Sequence, residues 1–186
     1  MTRIIAGRYK GSRLSAPSGS AVRPTTDRMR ERLFSVLMHG PYPDINNARV
    51  ADLFAGTGAI GLEALSRGAS TITFVEKSPA SVACIKENIA ALDAENETRV
   101  LRISALDLPT ISAPFDIIFM DPPYHKGLVE PTLESLLSRE WIATDGVVIC
   151  ELGSDETPTI PRGLTLENER LQGKQKTLFL TYTSTS

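Results

Sequence analysis

The chain opens with two short apolar runs, residues 3–7 and 12–14, on either side of Tyr9-Lys10-Gly11. Apolar runs around a glycine-containing turn predict a β-hairpin. Residues 16–20, rich in Pro, Ser and Gly, read as a linker. Pro24-Thr25-Thr26-Asp27 then supplies side-chain oxygens for the open N–H groups of a helix start. Met29, Leu33, Val36 and Leu37 follow at helical spacing and predict one apolar stripe. Pro41-Tyr42-Pro43 ends that helix.

From residue 49 the rhythm alternates. Residues 49–54 form a short apolar run, and residues 60–67 a helical one with Gly68 placed for a C-terminal cap. Residues 71–75 are rich in β-branched side chains and read as a strand. Val82, Ile85, Ile89 and Leu92 mark an amphipathic helix after Ser78-Pro79. Residues 99–103, 115–120 and 147–150 predict further strands, with a helix over 128–137. Two last strands, 164–166 and 178–182, are separated by Gly173 with no helix between them. Strand–helix alternation predicts a doubly wound α/β sheet, mostly parallel, with helices on both faces. The final pair predicts an antiparallel hairpin at one edge. The expected division is a basic hairpin arm over residues 1–25 and the sheet domain over residues 26–186.

Composition agrees with a globular chain. Of 186 residues, 41% are apolar and 23% charged, which excludes a disordered or collagen-like class. No window approaches the ~18 apolar residues of a membrane span, and the first eight residues lack the apolar core of a secretory signal. A cytoplasmic protein without a membrane partner is expected. Cys84 and Cys150 both fall in apolar segments and read as buried thiols. They and His39 and His125 have no ligand-like spacing, so no metal is expected.

The net charge of −2 hides an asymmetry. Residues 1–32 hold eight Lys or Arg and two acids, hence +6, and the remainder holds 12 bases and 20 acids, hence −8. A basic arm on an acidic body points to a phosphate-bearing partner, because cationic side chains gain affinity by releasing condensed counterions. Arg8, Lys10, Arg13, Arg23, Arg28 and Arg30 are the expected nucleic-acid contacts.

The chemistry concentrates in two loops. Gly56, Gly58 and Gly61 match G-x-G-x-x-G between a strand and a helix, and Glu76 ends the next strand, 20 residues after the first glycine. At that place a carboxylate can accept both hydroxyl hydrogens of a ribose. The geometry suits a dinucleotide or S-adenosylmethionine. Asp52, just before the glycines, would repel pyrophosphate and suit a ligand carrying ammonium and sulfonium, which favours the latter. The expected cofactor set is Asp52, Phe54, Ala55, Gly56, Thr57, Gly58, Gly61, Glu76 and Lys77, with Ser104 and Ala105 from the loop after the third strand.

The second loop is Asp121-Pro122-Pro123-Tyr124, at the carboxyl end of the 115–120 strand, where open α/β sheets bind ligands. The two prolines stiffen the turn. Tyr124 can stack on a planar base, while Asp121 and the Pro122 carbonyl accept the two hydrogens of an exocyclic amine. Drawing that amine out of the ring plane makes its lone pair nucleophilic toward a sulfonium methyl. Asp121, Pro122, Pro123 and Tyr124 are the expected catalytic residues.

Together these motifs resemble the amino-methyltransferases, and more closely the RsmD family of bacterial 16S ribosomal RNA guanine-N2 methyltransferases. The resemblance spans the start Arg3-Ile4-Ile5-Ala6-Gly7-Arg8-Tyr9-Lys10-Gly11, the stretch Arg23-Pro24-Thr25-Thr26-Asp27-Arg28-Met29-Arg30-Glu31, and both loops. It implies a Rossmann-like class I methyltransferase fold and an S-adenosylmethionine donor. It also implies transfer to the N2 of one guanine of 16S rRNA in the assembled small ribosomal subunit. Separately, a monomer is expected. One departure stands out: related enzymes carry Gly-Asp-Ala where this chain has Ile103-Ser104-Ala105. The missing acid meets the adenine amine in those enzymes, and here Ser104, a backbone carbonyl or Asp107 must replace it. The rival readings are an adenine-N6 nucleic-acid methyltransferase, a nicotinamide-dependent oxidoreductase and a non-catalytic RNA-binding module. The last of these would not need the Asp121 loop.

Overall fold

A computed structural model describes residues 2–17 and 27–183. The elements in chain order are β1 (Thr2–Arg3), β2 (Arg13–Leu14), α1 (Asp27–His39), β3 (Arg49–Leu53), α2 (Ala59–Ser66), β4 (Thr71–Val75) and α3 (Pro79–Ala90). They continue with β5 (Thr98–Leu101), β6 (Phe115–Met120), α4 (Val129–Ser138), β7 (Ile142–Gly153), β8 (Leu164–Gln172) and β9 (Gln175–Tyr182). Among the described residues β3–β9 form a seven-stranded sheet in the order β5-β4-β3-β6-β7-β9-β8. The pairs from β5 through β7 are parallel, and β9 runs antiparallel to both β7 and β8. The expected α/β sheet with an antiparallel edge hairpin is therefore present.

Alternation along the strands splits the core into two layers. Val50, Ile72, Phe74, Ile117, Phe119, Val147, Ile149 and Phe179 face a layer built by α1, α2 and α3. Leu53, Val75, Ile118, Met120, Val148 and Cys150 face the other layer, which includes Leu133 and Leu136 of α4 and Trp141. Trp141 is fully buried, donates its ring N–H to the Pro109 carbonyl at 2.8 Å and packs against Phe115. Ser78 caps α3 by accepting from the N–H of Ser81, and Pro79 occupies the first turn, as its sequence signals.

Some boundaries differ from expectation. The strand expected at 147–150 extends over Ile142–Gly153, and that expected at 164–166 runs to Gln172. Edge strand β8 is solvent-exposed along most of its length, so its polar residues give no burial pattern to read. In α1 the buried residues are Arg30, Phe34 and Leu37, so that of the expected Met29-Leu33-Val36-Leu37 stripe only Leu37 is fully buried. The helix is turned so that Phe34 meets Phe119, 5.5 Å between ring centres, while Leu33 and Val36 pack at the margin.

What matters for the site is where chain order reverses. β3 lies between β4 and β6, and the register sets Leu53 beside Met120. The loops leaving β3 and β6 therefore start side by side at the carboxyl edge, where the crevice of a doubly wound sheet forms.

Candidate active site

The glycine loop turns sharply as it leaves β3. Phe54 has φ 58°, Gly56 57° and Gly58 77°. A left-handed aromatic residue is strained by roughly 1–3 kcal/mol, a cost that concentrates at functional turns. Gly61 is required by packing instead: a Cβ there would lie 2.4 Å from the Phe74 ring, so its absence lets α2 sit close on β4.

Glu76 organises this loop. Its Oε2 accepts the Gly56 N–H at 2.9 Å and its Oε1 accepts the Ser78 N–H at 2.8 Å. The carboxylate is thereby fixed at the end of β4, half-buried, and each oxygen keeps acceptor capacity for a further donor. Lys77 beside it is exposed. Asp52 is buried and accepts the Gly61 N–H at 2.9 Å, which ties the last residues of β3 to the first turn of α2. Burial pushes its carboxyl up to about 8, against the pull of the Gly61 N–H and with a smaller push from Glu76. The sequence suggests a fixed negative charge at Asp52. Burial instead favours the neutral carboxyl, and a nearby cation would favour its ionised form. Beyond β5, the Ser104 hydroxyl accepts the Leu106 N–H at 3.2 Å and its carbonyl accepts the Asp107 N–H at 3.0 Å. Ala105 is buried beneath that turn, and Asp107 is exposed.

The second loop is braced from the neighbouring strand. Asp121 and Pro123 are exposed, Pro122 is buried and Tyr124 is half-buried. The Tyr124 hydroxyl donates to Oε1 of Glu151 at 2.9 Å, and Gln175 Nε2 donates to the same oxygen. Burial first, and then the Glu151 carboxylate, raise the Tyr124 pKa, so the phenol stays protonated as a donor. Just beyond, His125 adopts φ 57°, and its N–H donates to Oε1 of Glu156 at 3.0 Å. Glu156 Oε2 takes the Gly153 N–H at 2.7 Å. Sequence reading missed Glu151, Glu156 and Gln175. The position of Glu151, the first polar residue after a buried apolar run, was the available signal.

The hairpin is docked on the sheet domain. Ile4 and Leu14 are buried in the same apolar layer as α1 and α2. Glu63, fully buried in α2, accepts the N–H groups of Ile5 at 2.8 Å and Ala6 at 3.1 Å, and Arg67 at 2.7 Å. A Cβ on Gly7 would fall 1.8 Å from the Ser66 carbonyl oxygen, so only glycine allows this approach. Arg8, Lys10, Arg13 and Arg28 are exposed, with Arg8 pairing to Glu97 at 2.7 Å. Arg30 departs from expectation. It is 1% exposed and donates to the Arg3 carbonyl at 2.6 Å and Asp27 at 2.8 Å. The turn of α1 that buries Phe34 also buries Arg30, which therefore joins helix to hairpin instead of facing a partner. Arg23 lies outside the described residues.

Cys84 and Cys150 are buried free thiols. Among the described residues no group of three or more His, Cys, Asp or Glu is arranged to hold a metal, and no helix is long and apolar enough to cross a membrane.

Comparison with known proteins agrees with this architecture. The family model described as Conserved hypothetical protein 95 matches residues 2–181. Ribosomal RNA small subunit methyltransferase D of Escherichia coli K12 is 38% identical over 174 residues, 92% of this chain and 85% of that protein. Its namesake in Haemophilus influenzae is 35% identical, over 92% and 89%. The solved structure of the Escherichia coli protein yhhF superposes with a TM-score of 0.87 at 36% identity, covering 99% of each chain. The chain belongs to the Conserved hypothetical protein 95 family, the RsmD family of methyltransferases.

Proposed function

We propose that this enzyme transfers a methyl group from S-adenosylmethionine to the exocyclic N2 of one guanine of 16S rRNA, within the assembled small ribosomal subunit. It acts in the cytoplasm as a monomer. The observation that carries the reading is the juxtaposition at one switch point. The Glu76-anchored glycine loop and the Asp121-Pro122-Pro123-Tyr124 turn leave neighbouring parallel strands side by side. The names of the relatives supply the RNA class.

The donor fits the residues present. Glu76 retains acceptor capacity on both oxygens, as a ribose diol requires, and Asp52 is a buried carboxyl whose ionisation a nearby cation would favour. When bound, S-adenosylmethionine supplies an electrophilic methyl group on a sulfonium. The chain's own residues do the rest. Asp121 and the Pro122 carbonyl accept the amine hydrogens and turn its lone pair out of the base plane. Tyr124, steadied by Glu151, stacks on the base after it leaves its helix. The prolines keep carboxylate, carbonyl and ring in fixed relation, so positioning supplies most of the acceleration. The exposed Arg8, Lys10, Arg13 and Arg28 hold phosphates, which fixes register while the Asp121 loop meets the base.

The test uses purified enzyme, radiolabelled S-adenosylmethionine and small subunits from cells lacking the protein. Label recovered in N2-methylguanosine supports the reading, and label in N6-methyladenosine, or none in RNA, contradicts it.

A further inference from the structure

Asn88 lies on the buried face of α3, 2% exposed, and its amide binds the backbones of two other segments. Its Oδ1 accepts the Ser15 N–H at 2.7 Å, and its Nδ2 donates to the carbonyls of Ser15 at 3.1 Å and Thr57 at 3.0 Å. Ser15 is the residue leaving the basic hairpin after β2, and Thr57 lies in the glycine loop between Gly56 and Gly58. Cys84, four residues earlier on the same helix, donates its thiol to the same Ser15 carbonyl at 3.1 Å. A primary amide has two N–H donors, and these two carbonyls can take both. Withdrawing either segment would leave one N–H of this buried amide with only the weak Cys84 sulfur acceptor, 3.7 Å from Nδ2, which is unfavourable away from water. The amide therefore favours having both segments in place together.

We propose that Asn88 is a positioning residue that links the hairpin to the glycine loop, so that RNA held by the hairpin strengthens methyl-donor binding. This rests on reading the hairpin as an RNA grip and the loop as the donor site. Phosphate contacts at Arg13, two residues before Ser15, would fix one side of the amide. The loop on its other side then closes on the donor with less left to order. Linkage makes the effect reciprocal: the donor strengthens RNA binding by the same factor.

The test is equilibrium dialysis of radiolabelled S-adenosylhomocysteine against the full chain, alone and with small subunits from cells lacking the protein. Wild type should bind it about 5-fold or more tighter with subunits present, within the usual range of such couplings. Asn88→Ala should bring that ratio close to one. Ser15→Pro removes the N–H received by Oδ1 without altering α3 and should shrink the ratio in the same direction. It decides the matter if Asn88→Ala fails to fold. A merely structural role would weaken binding equally in both conditions and leave the ratio intact. That result, or a wild-type ratio of one, overturns the proposal. A wild type that binds no S-adenosylhomocysteine at all would instead overturn the donor assignment beneath it.

Discussion

The hydroxyl of Tyr124 donates to the carboxylate of Glu151 at 2.9 Å, joining the loop after β6 to the end of β7. The ring proposed to stack on the target base is thus held at its polar tip by the adjacent strand. Tyr124→Ala should raise KM for small subunits by the loss of a stack of ~1–3 kcal/mol. Tyr124→Phe keeps the stack and loses only the anchor, so its effect should be the smaller, about 1 kcal/mol. Glu151→Gln, which retains an acceptor oxygen, should resemble wild type more closely than Tyr124→Phe does. Steady-state kinetics on subunits of all three variants check this order.

Asp52 carries a pH signature. Its folded pKa is raised from 3.8 to about 8, so its contribution to stability is fully present below about pH 4 and is lost as pH rises through 8. Asp52→Asn keeps an acceptor for the Gly61 N–H and removes the titration. Thermal melts should show wild type losing stability relative to Asp52→Asn between about pH 4 and about pH 8. In the proposed complex the donor's cationic end favours the ionised carboxyl. S-adenosylhomocysteine retains the ammonium, so its affinity for wild type should rise from about pH 6 to about pH 8 and flatten in Asp52→Asn. Calorimetric titrations across that range read the difference.

The basic residues of the first 32 should separate into two kinds. Charge reversal of Arg8, Lys10 and Arg13 should weaken subunit binding and flatten its salt dependence, by roughly one unit of slope for each phosphate the arm ceases to neutralise. Stability should hardly change, since the exposed Arg8–Glu97 pair contributes at most about 1 kcal/mol. Arg30→Met should do the opposite. It leaves the Arg3 carbonyl without this donor and Asp27 with the Arg3 guanidinium alone, and should lower stability by ~1–3 kcal/mol. Thermal melts and salt-dependent subunit titrations on both variants distinguish the two outcomes.

The difference between Arg13 and Arg30 also shows what the chain reveals by itself. The glycine loop, Glu76 and the Asp121 turn are legible because their spacing along the chain is set by one strand, one turn and one helix. The burial of Arg30 depends on how α1 rotates against Phe119, 85 positions beyond Phe34, and no local pattern encodes that. The Tyr124–Glu151 bond likewise spans 27 residues and exists only because β6 and β7 are neighbours. Strand β8 is legible only at its start, because an exposed edge strand carries polar residues on both faces. Asn88 is hidden for a related reason: it stands among apolar residues of α3, and its partners come from two distant backbones.

The central claim is that the Asp121 loop performs methyl transfer to a guanine amine. It is tested most directly by nucleoside mass spectrometry of small-subunit RNA. The comparison is between cells lacking the protein that are supplied with wild type and those supplied with Asp121→Ala, with equal protein levels and equal S-adenosylhomocysteine affinity confirmed beforehand. The account predicts that one N2-methylguanosine per subunit, absent without the protein, returns with wild type and not with Asp121→Ala. Full restoration by Asp121→Ala, or an N2-methylguanosine content indifferent to the protein, would contradict it.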